Sequence, residues 1–266
     1  MFGKLLKQEF RATSRFMWMI YAAMLFLSLG SHFSMIYLDA EESSAVLNIL
    51  AVLVTVLWVL SLIFGIAMTV ILMVNRFHKN LLTDEGYLMF TLPTGVHSLI
   101  LSKLIVAVVW AVVTILVMVL GVALAVIDSS FLQQVGESFG IVFQYMDAEL
   151  GLNIAAMAAE LMLMGILALA CSMLQFYAAM AIGYGFNGHK LLLSVLFYFG
   201  IGIGFQIIGS LVMTLGGDGI LMLTTEIETM TGWHMTMLGA LGSQLLSGGV
   251  LYFLTAWNLK KRLNLA

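Results

Sequence analysis

The stretch 46-VLNILAVLVTVLWVLSLIFGIAMTVILMV-74 is a mostly apolar run without a single charged residue. Wound as an α-helix, it measures about 43 Å at 1.5 Å per residue. The hydrocarbon core of a bilayer is only about 30 Å thick. The stretch therefore predicts a helix that crosses a membrane and extends beyond it.

The rest of the chain has the same character. Its 266 residues are 62% hydrophobic and 9% charged, whereas soluble domains are about one quarter charged. The apolar runs are continuous and do not alternate with polar residues, which favours helices over a membrane β-barrel. We predict an all-α integral membrane protein, one transmembrane domain over residues 1–266, with six spans at 16–37, 46–74, 103–127, 156–183, 191–215 and 237–258.

The basic residues are confined to alternate connectors. All 11 Lys and Arg residues lie within segments 1–15, 75–102, 184–190 and 259–266 or, for Lys103, at the boundary of one of them. The other connectors, near 38–45, 128–155 and 216–236, hold no Lys or Arg and carry most of the acidic residues. Because Lys and Arg near span ends are retained in the cytoplasm, we expect a multi-pass protein with both termini cytoplasmic.

An amphipathic pattern precedes the first span, in 1-MFGKLLKQEFRATSR-15. At 100° per residue, the basic residues share one quadrant of a helix: Lys4, Lys7, Arg11 and Arg15. Phe10 and the other apolar residues lie on the opposite side. This pattern is typical of a helix in the membrane interface whose cations face anionic lipid headgroups. Glu9 falls within the apolar side and would need a polar partner there.

The predicted spans contain few residues that could catalyse a reaction or bind a metal ion. The histidines are scattered, Cys171 is the only cysteine, and no cluster has metal-ligand spacing. We therefore predict neither a metal site nor an enzyme. The stretch 183-GYGFNGHKL-191 resembles a phosphate-binding loop, but His189 follows its second glycine and Leu191 follows its lysine. We expect a short turn there and no ATP bound by this chain.

Glu160 is an acidic residue inside a predicted span. If that helix ends near residue 184, Glu160 lies about 36 Å from the end, farther than the hydrocarbon core reaches. We therefore place it at the outer interface. A structural role and a role in substrate release both remain open.

Amides and glycines mark two other positions in the spans. Gln175 and Gln206 lie in mid-span, where they would either line a polar translocation path or hydrogen-bond to neighbouring helices. Gly200 and Gly204 have the G-x-x-x-G spacing that lets helices approach closely. Their partner would be another helix of this chain, a dimer seam or a pore.

The connector 80-NLLTDEGYLMFTLPTG-95 contains the only proline of the chain. Asp84 can cap a short helix, and Glu85 suits the positive end of its dipole. Pro93 ends that helix, because it disfavours helical geometry at Leu92. After Gly86 the short helix presents apolar side chains: Tyr87, Leu88, Met89, Phe90 and Leu92. Such a surface is costly unless it docks on a partner or lies on the bilayer.

Four segments carry a family resemblance: KLLKQEFRATSR, RFHKNLLTDEGYLMFTLP, LILSKL and LKKRLNL. They resemble the permease subunits of ABC-2-type ABC transporters from Gram-positive bacteria. The resemblance implies that the N-terminal helix and the loop after the second span contact a separate ATPase. It implies a complex of two permeases and two ATPases, with ATP and Mg bound by the ATPases. It also implies that the short helix from Asp84 to Pro93 is the coupling helix.

With this resemblance, we expect the permease subunit of an ATP-driven exporter in the bacterial plasma membrane. Its partners would be the ATPase, a second or related permease and lipids, with no nucleic acid. The implied cargo is an antimicrobial peptide, drug, lipid or polysaccharide, and no residue selects among them. The alternatives are a secondary transporter or channel, whose usual intramembrane charges or paired repeats are not evident, a membrane enzyme, and a non-transporting anchor or sensor.

Overall fold

The computed structural model describes residues 2–38, 44–83, 86, 95–126, 129–148, 154–186, 188–225 and 230–261. Within these residues the chain forms seven α-helices and no β-strand. The helices are α1 (Phe2–Leu38), α2 (Ala45–Leu81), α3 (Val96–Ala125), α4 (Ser129–Ala148), α5 (Ile154–Gly183), α6 (Lys190–Thr225) and α7 (Met230–Lys261).

Within the described residues, every helix except α4 is long and apolar enough to cross a membrane, which agrees with the six predicted spans. α2 continues to Leu81, past the predicted end at residue 74. α1 runs unbroken from Phe2, so the predicted N-terminal segment and the first span belong to one helix. α4 was not predicted, because it falls within a connector that lacks an apolar run of spanning length.

Large apolar side chains of these helices point outward. Phe26, Phe33 and Ile49 are 76%, 68% and 68% exposed. Such a surface is unusual for a soluble monomer, whereas lipid covers it in a bilayer. The outward apolar faces therefore agree with a membrane protein.

Residues Met1–Met73 and Val106–Ser138 form one compact unit. The side chains that α1 buries recur every three or four residues along one helical face: Glu9, Thr13, Met17, Tyr21, Met24, Ser28, Ser31 and Ser34. A Cβ added at Gly65 of α2 would lie 2.5 Å from Met24 Sδ, and one at Gly121 of α3 would lie 2.8 Å from Ser28 Oγ. Small residues thus allow these helices to pack closely.

Hydroxyl groups link the helices of this first unit. The Tyr21 hydroxyl lies 2.8 Å from Thr114 Oγ1, which in turn lies 2.9 Å from Thr69 Oγ1. The Trp110 indole N–H donates to Thr13 Oγ1 over 2.8 Å. These bonds satisfy polar groups that would be costly to bury alone in apolar surroundings.

Residues Val74–Ile105 and Phe139–Ala266 form the second unit, in which α5 packs against both α6 and α7. α5 ends at Gly183, where an added Cβ would lie 2.6 Å from the Ser194 backbone nitrogen of α6. Gly188, in the turn that follows, has a φ of +147°, a conformation that favours glycine. The sequence that resembles a phosphate loop thus forms a tight connection between two helices.

Candidate functional site

The predicted coupling segment follows α2. Most of its predicted residues lie outside the described part of the chain: Asp84, Glu85, Tyr87, Leu88, Met89, Phe90, Leu92 and Pro93. Gly86 is described and buried, and its N–H donates to the Thr83 carbonyl over 2.8 Å. A Cβ there would lie 2.8 Å from the Leu81 carbonyl oxygen. The backbone therefore folds back tightly on the end of α2, at a position that suits glycine.

The helix that enters this segment is fixed to α5. Phe77 of α2 stacks on Tyr177 of α5, with ring centroids 4.0 Å apart and an interplanar angle of 6°. One residue nearer the segment, His78 Nε2 hydrogen-bonds to the Tyr184 hydroxyl. Burial raises the pKa of the Tyr184 phenol, so the hydroxyl stays protonated at neutral pH and can donate to the imidazole. The last turns of α2 are thereby tied to the end of α5.

The helix that leaves the segment contacts α7 through exposed hydrogen bonds. His97, in the first turn of α3, lies 2.7 Å through Nδ1 from the Tyr252 hydroxyl and 3.2 Å through Nε2 from Lys260 Nζ. A lysine ammonium only donates, so Nε2 accepts and Nδ1–H donates to the tyrosine hydroxyl. The start of α3 is thereby tied to the end of α7.

In the N-terminal part of α1, the basic side chains are exposed and the acidic side chain is buried. The basic side chains are all exposed: Lys4, Lys7, Arg11 and Arg15. Glu9 is buried at 6% exposure, and Phe10 packs on Trp110 with ring centroids 6.1 Å apart. The exposed cations therefore lie on the side of α1 that is free for an acidic surface, while Glu9 lies on the packed side.

Glu160 joins α5 to α7 in the second unit. The Trp233 indole N–H donates to Glu160 Oε2 over 3.1 Å, and His234 Nδ1 lies 2.6 Å from Oε1. The Glu160 and His234 side chains are 23% and 26% exposed. Each carboxylate oxygen thus accepts from one side chain of α7, and the pair becomes a salt bridge when His234 is protonated.

Sequence reasoning missed these partners of Glu160. They lie 73 and 74 residues away along the chain, and only close spacings within one helix were considered. The position of Trp233 and His234 at the start of the last helix could have indicated that they lie near Glu160. Alternating spans place that end on the same side of the membrane as the start of α5.

The mid-span amides differ from each other. Gln175 Nε2 donates to the Tyr198 carbonyl of α6 over 3.1 Å, whereas Gln206 is exposed. Added Cβ atoms at Gly200 and Gly204 would meet nothing within 4 Å. The structure thus gives Gln175 an interhelical bond and leaves the glycine pair without a close neighbour among the described residues.

Among the described residues, no group of three or more His, Cys, Asp or Glu residues could hold a metal ion. Comparison with protein families, with curated proteins and with solved structures finds no match to this chain.

Proposed function

We propose that this chain is the transmembrane permease subunit of an ATP-driven ABC exporter in the bacterial plasma membrane. Both termini face the cytoplasm, and a separate ATPase binds ATP and Mg. The ATPase docks on the loop between α2 and α3 and on the N-terminal part of α1. A second permease, identical or related, completes the pore, and this chain itself catalyses no reaction.

One observation carries the proposal: the two helices that flank the 84–94 segment are each tied to another spanning helix. Phe77 and His78 fix the end of α2 to α5, and His97 fixes the start of α3 to α7. A force applied to the segment would therefore reach four helices at once. An inert connector needs no such attachment, whereas a coupling element needs it.

The N-terminal part of α1 supports a second contact with the ATPase. Its exposed cations suit an acidic protein surface or anionic headgroups. Arg11 and Arg15 also line an open concavity of about 370 Å³. α1 continues directly into its span, so a contact at this end would also be transmitted into the membrane.

Co-purification tests the proposal. The tagged chain is solubilised gently from its native membrane and purified, and the associated proteins are quantified. We expect an ATPase in stoichiometric amount, and we expect the chain alone to bind no ATP at micromolar concentration. Recovery of the chain without an ATPase, or saturable binding of ATP by the isolated chain, would contradict the assignment.

A further inference from the structure

α4 is an amphipathic helix between two spans. It covers 20 residues, Ser129–Ala148. At 100° per residue, Val135, Phe139 and Phe143 lie within an arc of about 80°. Glu137 and Gln144 lie on the opposite side, near the middle of the polar surface. The helix thus has an aromatic stripe, formed by Phe139 and Phe143, on the side opposite its polar residues.

The aromatic stripe is uncovered. Phe139 is 57% exposed and Phe143 is 42% exposed, and their rings stack with centroids 6.0 Å apart. One apolar residue breaks the pattern, since Ile141 is 68% exposed and lies beside Glu137. Two stacked phenylalanines facing water would be costly, so this stripe needs an apolar environment that the described part of the chain does not provide.

The lengths of the connections indicate where α4 lies. Its first residue, Ser129, follows the end of the spanning helix α3 at Ala125 after three residues, and its last, Ala148, precedes α5 at Ile154 by five. Fully extended, these connections reach only roughly 14 Å and 22 Å. α4 itself is about 30 Å long. Both ends of the helix are therefore tethered near the membrane surface, on the side opposite the Lys- and Arg-bearing connectors.

We propose that α4 lies in that membrane surface and inserts Phe139 and Phe143 into the boundary between lipid headgroups and acyl chains. Helices with such a pattern bind by burying their apolar side in this boundary. α4 contains Glu137 and Asp147 and no Lys or Arg. Its binding therefore depends on apolar insertion and not on anionic lipid, in contrast to the basic N-terminal part of α1.

Spin-label accessibility in the full-length chain tests this inference. In a Cys171→Ser background, which removes the native thiol, single cysteines replace Phe139 or Phe143, with Glu137 and Gln144 as matched controls on the polar side. Each protein is labelled and reconstituted into phosphatidylcholine vesicles. We expect labels at 139 and 143 to collide mainly with oxygen, and labels at 137 and 144 to collide mainly with a water-soluble nickel complex.

The outcomes separate lipid from the other environments. Preference for nickel at all four positions would mean that α4 projects into water, and the inference would be wrong. Protection of 139 and 143 from both reagents would mean that protein, such as a second copy of this chain, covers the stripe, and would equally overturn it. Adding anionic lipid should leave the pattern unchanged.

A second measurement leaves the aromatic residues intact. The unmodified protein is irradiated in vesicles that contain lipid with a photoactivatable group near the headgroup. We expect lipid adducts on the peptide that carries Phe139 and Phe143, in addition to those on the spans. Adducts on the spans with none on this peptide would count against the inference. Neither test depends on the presence of an ATPase.

Discussion

Phe77 and Tyr177 stack face to face, 100 residues apart along the chain, and neither ring has any measurable exposure. The pair joins the end of α2 to α5 just before the chain enters the 84–94 segment. A double-mutant cycle with Phe77→Leu and Tyr177→Leu keeps both positions apolar while removing the stack. We expect a coupling free energy of about 0.5–1.5 kcal/mol, the usual contribution of an aromatic pair.

Thermal or denaturant unfolding of the purified protein measures this coupling. Phe186 and Phe197 also stack in the second unit, with centroids 5.7 Å apart, but Phe186 is 44% exposed. The same cycle at that pair provides a control for a stack at a more open site, where we expect a smaller coupling. Additive single effects at Phe77 and Tyr177 would show that their stacking does not fix the two helices together.

A second prediction concerns topology. The confinement of Lys and Arg to alternate connectors predicts that the C-terminus and the 128–155 connector lie on opposite sides of the membrane. Reporter fusions after Ala266 and within that connector should give opposite locations. Matching locations would overturn the orientation and the alternation on which it depends.

A third prediction concerns the bonds of Glu160. Removing both partners through Glu160→Ala and His234→Ala should reveal a coupling of about 0.5–1.5 kcal/mol, the net value of a typical hydrogen bond, because partial exposure weakens this pair. Unfolding measurements on the single and double variants give the coupling. Glu137→Ala, which removes an exposed acid from α4, should leave stability unchanged. A coupling near zero would mean that the contact does not hold α5 to α7.

A fourth prediction concerns Glu9, which is buried, next to Gln8, which is exposed. Glu9→Gln keeps the size of the side chain and replaces its carboxyl group with an amide. We expect it to reduce ATPase recovery or transport more than Gln8→Ala does, because an amide offers different hydrogen-bonding groups from a carboxyl group at a buried position. Equal and negligible effects would make Glu9 an ordinary packed residue without a role in assembly.

The fifth prediction addresses the coupling segment itself. If Phe90 anchors the segment in a groove of the ATPase, Phe90→Ala should cost about 2–4 kcal/mol of binding free energy. That cost corresponds to roughly 30- to 700-fold weaker association. ATPase co-purification from membranes with normal amounts of the permease measures it. Pro93→Ala removes no such anchor, so it should weaken binding of the ATPase less than Phe90→Ala does. It should instead reduce the amount of cargo transported per ATP hydrolysed.

Undiminished recovery of the ATPase with Phe90→Ala would refute the docking of this segment. The segment would then lie on lipid, which was the alternative left open by its apolar composition. Because Phe90 lies outside the predicted spans, membrane insertion of the variant should be normal and serves as the control for expression.

The sequence by itself determined the six helices that are long and apolar enough to span a membrane, and the separation of basic from acidic connectors. Both are local properties: residues 46–74 are mostly apolar and carry no charge, and the cost of placing charge in lipid acts on each residue separately. The same reasoning passed over α4, because a helix lying beside a membrane needs no apolar run of spanning length.

Only the tertiary structure decided which distant side chains meet. Tyr21 reaches Thr114 over 93 residues, Glu160 reaches His234 over 74, and His97 reaches Lys260 over 163. Hydropathy indicates how deep each residue lies in a membrane, but it is nearly the same on every side of α3, α5, α6 and α7. The rotation of each helix, and hence its polar partners, is set by close packing at small residues such as Gly65 and Gly183 and by hydrogen bonds that must be satisfied away from water.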